Sequence, residues 1–208
     1  MSNNFCTIYL VRHGLSGANV ARTVGGNTGL VEKGKEQAME LGKKLKDIDF
    51  AAVFSSDLLR ARQTAELIIE GRNLEVSTHK ELRERSFGSI DNKNDKEFIH
   101  LFQALKDVSD DEYWKWKIVD DMESAQEAFG RFFNALKKIS KKYLGKEILI
   151  VSHGTVMRSL LVYLGYGSFK ELPTNSLQNT GYIKLKSDGE NFIIEDTWGV
   201  NKMKGLSL

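Results

Sequence analysis

The chain has 208 residues, 41% hydrophobic and 28% charged, ordinary globular usage that excludes disordered and fibrous classes. Thirty Lys and Arg against 28 Asp and Glu leave a net charge of +2, too balanced for a nucleic-acid or membrane-surface binder. Cys6 is the only cysteine, which excludes an intramolecular disulfide and a cysteine-built zinc site. Residues 1–4 lack a basic signal-peptide region and the apolar stretch at 5–11 is too short to span a bilayer. A single cytoplasmic domain over residues 1–208 is expected.

Residues 7–11 read as an apolar strand that stops at Arg12-His13-Gly14. A glycine-rich loop follows at 25–29, and Ala38, Leu41, Leu45 and Ile48 recur at helical spacing over 35–48. A short strand at 51–54 leads to Ser55-Ser56-Asp57, expected to cap a helix running to about Ile69. Residues 74–78 read as a short strand, and Phe98, Leu101, Phe102, Leu105 and Val108 predict an amphipathic helix. A long helix is expected from about Ser124 to Tyr143, then a buried strand over 147–151 ending at Ser152-His153-Gly154. A helix over 155–164 follows, and Asp188-Gly189 marks a hairpin between two final strands. Strands alternating with helices predict an α/β fold with a mostly parallel sheet and a hairpin at one edge.

His13 and His153 stand in matching places, each just after an apolar strand and just before a glycine. The carboxyl ends of strands in open α/β sheets form the ligand crevice, so both imidazoles should face it. Gly14 and Gly154 should let backbone approach a ligand, and the helix after Gly154 should turn its N–H groups to an anion. Arg12 and Arg60 add guanidinium forks suited to phosphate oxygens. A neutral imidazole can attack phosphorus in line, and an acid must then protonate the leaving oxygen, for which Glu84 is the candidate. The G-x-x-x-x-G-K spacing at 29–35 lacks a preceding strand and a following Ser or Thr, so it reads as chance. A metal site on His13 and His153 lacks further ligands at suitable spacing. Trp114 and Trp116, either side of Lys115, read as packing beneath a cover.

Four separated blocks together resemble the histidine phosphatase (phosphoglycerate mutase-like) superfamily. They are 10–14 (Leu-Val-Arg-His-Gly) with Ser16 and Asn19, 55–65 (Ser-Ser-Asp-Leu-Leu-Arg-Ala-Arg-Gln-Thr-Ala), 82–88 (Leu-Arg-Glu-Arg-Ser-Phe-Gly) and 151–154 (Val-Ser-His-Gly). The resemblance implies a three-layer α/β/α sandwich with a helical lid and no metal or other cofactor. It implies that His13 is phosphorylated, that Arg12, Arg60 and His153 hold the phosphoryl group, and that Glu84 is proton donor and later base. Asn19 would add a phosphate contact, and Ser16, Gly26, Gly154 and Thr155 are further substrate-site candidates. Three positions depart from the family pattern: Leu15 stands where an acid is usual, Gly25 replaces a polar residue, and Met122 precedes Glu123-Ser124.

The reading is a phosphatase acting on a small phosphorylated metabolite, with no nucleic-acid or membrane partner. The alternatives are a phosphoglycerate mutase-type transfer and a catalytically silent phospho-ligand domain. Residues 89–121, the expected lid and specificity segment, hold nine acids, five lysines and no arginine, a net −4. Such a cover should repel the bisphosphate that a mutase must retain.

Overall fold

In the computed structural model, which describes residues 4–203 apart from 99, 102–104 and 106–107, strand and helix alternate as the hydrophobic pattern demands. The order is β1 (Cys6–Arg12), α1 (Gly17–Ala21), α2 (Glu32–Lys44), β2 (Phe50–Ser56), α3 (Leu59–Ile68) and β3 (Val76–His79). Three short 3-10 turns follow, at Lys80–Leu82, Gly88–Ile90 and Asp95–Glu97. Then come α4 (Asp110–Lys115), α5 (Ala125–Lys142), β4 (Glu147–Ser152), α6 (Gly154–Tyr163), β5 (Leu177–Ser187) and β6 (Phe192–Val200).

The six strands form one sheet in the order β3-β2-β4-β1-β5-β6. The first four run parallel and β5 and β6 add an antiparallel edge, so the α/β expectation holds. Strand side chains alternate between faces, and both faces of the central strands are covered. Ile8, Leu10, Ile148 and Ile150 pack with Phe132, Leu136, Met157 and Leu160 of α5 and α6. Tyr9, Val11, Leu149 and Val151 pack with Leu41 of α2 and Ala61, Ala65 and Ile68 of α3. Cover on both sides is why these strands read as unbroken apolar runs. Cys6 lies in this core, where burial pushes its thiol up to about 12 and leaves it unreactive.

Several local details differ from expectation. Helix α3 starts at Leu59 with Leu58 as its N-cap and no side-chain cap bond. Ser56 Oγ instead accepts from Leu58 N–H, and Asp57 makes a bidentate pair with Arg83 at 2.6 Å. Helix α2 occupies 32–44 rather than 35–48, because Leu45 leaves helical geometry at the C-cap. The strand expected at 74–78 lies at Val76–His79, in register with β2. The amphipathic helix expected around 98–108 falls largely on residues outside the described set, Phe102 among them. Ser124 caps α5 through a reciprocal box with Glu127.

Helix α4, within the segment expected as the lid, is fastened by aromatic packing. Tyr113 of α4 stacks on Phe169 with ring centroids 4.0 Å apart, and Trp114 meets Phe129 and Phe169 at 5.3 and 5.0 Å. No described helix is long and apolar enough to cross a membrane.

Candidate active site

Parallel pairing puts Arg12 of β1 opposite Ser152 of β4, and His13 N–H donates to Ser152 O at 3.0 Å. The two strands therefore end side by side, and the residues after them meet: the rings of His13 and His153 lie 5.1 Å apart. A side chain from β5 fixes His13 further, because Asn179 Nδ2 donates to its carbonyl at 3.0 Å.

The tautomer of His13 follows from its neighbours. Nδ1 lies 2.7 Å from the Gly14 carbonyl, which can only accept, so Nδ1 carries the proton. Nε2 is then left with a lone pair, which accepts from Arg60 Nε–H at 3.1 Å. Burial, followed by the charges of Arg60 and Arg12, holds the His13 imidazole well below its ordinary value of 6.5. His153 is lowered in the same way, first by burial and then by Arg60, His13, Arg12 and Arg131. Both rings are neutral at pH 7.

Arg60 is aimed by its other bonds. Its Nη1 donates to Gly26 O at 2.7 Å, and Thr64 Oγ1 donates to the Arg60 carbonyl while accepting from Gly14 N–H. Gly26 thus serves through its carbonyl. It and Gly25 sit at φ +74° and +62°, and a Cβ on Gly25 would stand 1.8 Å from Asp91 Oδ1. That explains the departure at position 25: a side chain has no room there.

Arg12 is buried, with Nη1 donating to Leu177 O and Nε lacking a protein partner. Gly154 makes room for it, since a Cβ would lie 3.2 Å from Arg12 Nε. Packing therefore also calls for a glycine here. Gly14 likewise accommodates α2, where a Cβ would meet Gly34 O at 2.5 Å. The start of α6 also differs from expectation. Thr155 N–H donates to Glu84 Oε2 at 3.0 Å, so this helix end holds a protein carboxylate. The second oxygen, Oε1, accepts from Arg85 N–H at 2.9 Å. Ser16 and Asn19 form the capping box of α1, which occupies the Ser16 hydroxyl and Asn19 Oδ1 and leaves the Asn19 Nδ2 amide outside the box.

A cavity of about 940 Å³ collects most of these groups: Arg12, His13, Ser16, Asn19, Arg60, Glu84, Gly154 and Thr155 all line it. Gly26 and His153 are not among its lining residues but adjoin them, Gly26 through its carbonyl on Arg60 and His153 through its ring beside His13. Both nitrogens of the fully buried His153, like Arg12 Nε, have no hydrogen-bond partner among the described residues. Unpaired donors beside two buried guanidiniums make a site in need of an anion.

Three arginines to which the sequence reading gave no site role, Arg22, Arg85 and Arg158, also line the cavity. Arg158 was detectable as the one charge among the apolar residues of α6. It stacks against Tyr113 and Phe169 and donates to Tyr113 Oη at 2.5 Å. Of the described acids in 89–121, only Asp95 lines the cavity, and it is paired with Arg22. Others serve the segment itself: Asp110 accepts from Phe169 N–H, and Glu112 closes a capping box with Ser109. The −4 of this segment therefore does not set the charge of the cavity, which draws its cations from elsewhere in the chain. Among the described residues, no three His, Cys, Asp or Glu gather in a way that could hold a metal ion.

Comparison with known proteins decides the family. The model of the histidine phosphatase superfamily (branch 1) matches residues 8–198. The chain belongs to that superfamily. Among its relatives, the Uncharacterized phosphatase PhoE of Bacillus subtilis is 30% identical over 91% of this chain and 92% of its own. The Probable phosphoglycerate mutase GpmB of Salmonella arizonae is 26% identical over 97% and 96%. Among solved structures, a phosphoglycerate mutase from Bacillus anthracis superposes with a TM-score of 0.79 at 27% identity, over 96% of this chain and 95% of that one. The superfamily relatives are thus named as phosphatases and as mutases, and the fold is theirs.

Proposed function

We propose that this protein is a phosphatase that hydrolyses a small phosphate monoester through a phosphohistidine on His13. The observation that carries the reading is the state of His13: neutral, protonated on Nδ1, with its Nε2 lone pair against a cavity-lining guanidinium. The Nε2 lone pair attacks phosphorus while the bond from phosphorus to the ester oxygen breaks. Glu84 acts as the acid that gives a proton to that oxygen, and the alcohol leaves. Water then attacks the phosphohistidine and Glu84 takes its proton. The bond from phosphorus to Nε2 breaks and inorganic phosphate departs. As substrate enters, Arg60 exchanges Nε2 for a phosphoryl oxygen, and Arg12 Nε and His153 supply further donors. Asn19 Nδ2 adds another in this reading.

Quenching a reaction with labelled substrate into alkali should leave label on the wild type and none on His13→Ala. Label on the variant would overturn the assignment. Arg12 and Arg60 bring the positive charge that a metal supplies in other phosphatases. Activity should accordingly survive EDTA, and vanadate should inhibit it by adopting five-coordinate geometry on His13.

The second reading, mutase-type transfer, is favoured by one observation: Arg22, Arg85 and Arg158 extend the positive lining beyond the phosphoryl pocket. Following phosphate release and isomer formation from 3-phosphoglycerate in parallel separates the two. Release outpacing isomerisation supports the phosphatase.

A further inference from the structure

Glu84 sits on an irregular segment between two 3-10 turns, where no strand or helix ladder holds its backbone. The carbonyls of that segment converge on one side chain. Arg131 of α5 donates from Nη1 to Glu81 O and Arg83 O at 3.0 and 2.9 Å, and from Nη2 to Glu84 O at 2.8 Å. Its remaining N–H groups hold Glu123, Nε to Oε1 at 2.8 Å and Nη2 to Oε2 at 2.7 Å. All five donors of the guanidinium are thereby used. Glu123 returns to the same segment: its Oε2 accepts from Ser86 N–H at 2.8 Å, and its own N–H donates to Ser86 O. Burial alone would raise the Glu123 carboxyl, yet the Arg131 and Ser86 hydrogen bonds bring it below its ordinary value. Neither Arg131 nor Glu123 lines the cavity.

We infer that the Arg131–Glu123 pair is the positioning device for Glu84, fixing where its carboxyl meets the leaving oxygen. This rests on the proposed role of Glu84 as the proton donor. The Glu84 residue is held at both ends, by Arg131 at its carbonyl and by Thr155 N–H and Arg85 N–H at its carboxylate. Proton transfer needs heavy atoms within about 3 Å, so a carboxyl that drifts loses its function while the nucleophile keeps its own. Lysine, a single point charge with three donors, cannot replace a planar fork that serves five acceptors on three sides.

The test is single-turnover release of the leaving group, with enzyme in excess, from an alkyl phosphate and from p-nitrophenyl phosphate. Wild type, Arg131→Lys, Glu123→Gln and Glu84→Gln are compared. Glu84→Gln should slow the alkyl ester far more than the nitrophenyl ester, whose oxygen leaves without help. Arg131→Lys should reproduce that selectivity in weaker form. Roughly 10- to 100-fold loss is expected on the alkyl ester, the scale of a misplaced catalytic group, and less than about threefold on the nitrophenyl ester, where the proton matters little. Glu123→Gln, which retains side-chain oxygen and volume, should show the same pattern and serves if Arg131→Lys does not fold. Equal losses on both esters in the Arg131 and Glu123 variants, with Glu84→Gln still selective, would overturn the positioning role alone. A Glu84→Gln variant that slows both esters equally would overturn the acid assignment and the positioning role with it.

Discussion

The floor and the roof of the cavity are held in different ways. Arg12, His13 and His153 leave the ends of adjacent parallel strands, and the backbone ladder between β1 and β4 sets their spacing. Beneath them lies a core of fully buried side chains, Ile8, Leu10, Ile148, Ile150, Phe132 and Met157 among them. Among its described residues the roof, from Glu84 through α4, has no sheet strand, only backbone bonds of 92–95 to 22–24 around the isolated Thr23–Asn94 bridge. It and its surroundings are also tied by side chains that reach backbone carbonyls: Arg131 to 81, 83 and 84, Arg85 to 116 and 123, and Arg158 to 169 and 172. The nucleophile candidate thus sits on a part of the fold expected to open only with global unfolding, and the acid candidate on a part expected to open more locally.

The most forceful way to break this contrast is to hollow the floor. Phe132→Ala should cost about 3–5 kcal/mol of unfolding free energy, the usual loss for a fully buried aromatic. Urea titration followed by circular dichroism measures it, and a loss under about 1 kcal/mol would mean that the floor is not the rigid body described. Next is Arg60→Ala, which removes one donor from a buried anion site. A fall in kcat of about 100- to 1,000-fold is expected, with the unfolding midpoint in urea little changed. A large drop in that midpoint would make Arg60 structural.

Acid sharpens the contrast, because both depressed imidazoles belong to the floor. Their folded-state values lie well below 6.5, so below that pH the unfolded chain binds protons that the folded chain refuses. Their contribution is complete above pH 6.5 and declines as pH falls toward the depressed values. Thermal melts from pH 7.5 to 5 should show the loss, and His13→Asn combined with His153→Asn should flatten it. An unchanged slope in that double variant would show that other groups govern the acid limb.

Smaller effects are expected where the roof meets the loop. Gly25→Ala should cost roughly 1–2 kcal/mol for a left-handed alanine, and more if Asp91 cannot move from the new Cβ. Neutral or stabilising melts would refute the tight approach. Tyr113→Phe should be the mildest change, about 1 kcal/mol for the lost bond to Arg158. Raised KM at nearly constant stability would mark α4 as a local cover, whereas a Phe132-sized loss of stability would merge roof and floor into one cooperative unit.

Much of the floor could be read directly. An apolar run ending in Arg12-His13-Gly14 and another ending in Ser152-His153-Gly154 place two imidazoles at strand ends, and parallel pairing brings such ends together. The roof resisted the same reading. Arg85 and Arg131 look like ordinary charges in charged stretches, and their targets lie 31 to 50 residues away along the chain. Counting the charge of 89–121 misled for a related reason: Asp110 and Glu112 are consumed by backbone N–H groups, and Arg22, Arg85 and Arg158 reach the cavity from outside that segment.

Sequence by itself determined the alternation of strand and helix, the mostly parallel sheet with its edge hairpin and the strand-end histidines, since each follows from periodicity and local backbone preference. Tertiary structure alone decided the tautomer of His13, the capture of Glu84 by the first turn of α6, and the convergence of Arg131 on three carbonyls. These depend on which donor meets which acceptor across distant parts of the chain. Hydrogen bonds act over about 3 Å and carry no periodic trace in the sequence, so only the folded arrangement could assign them.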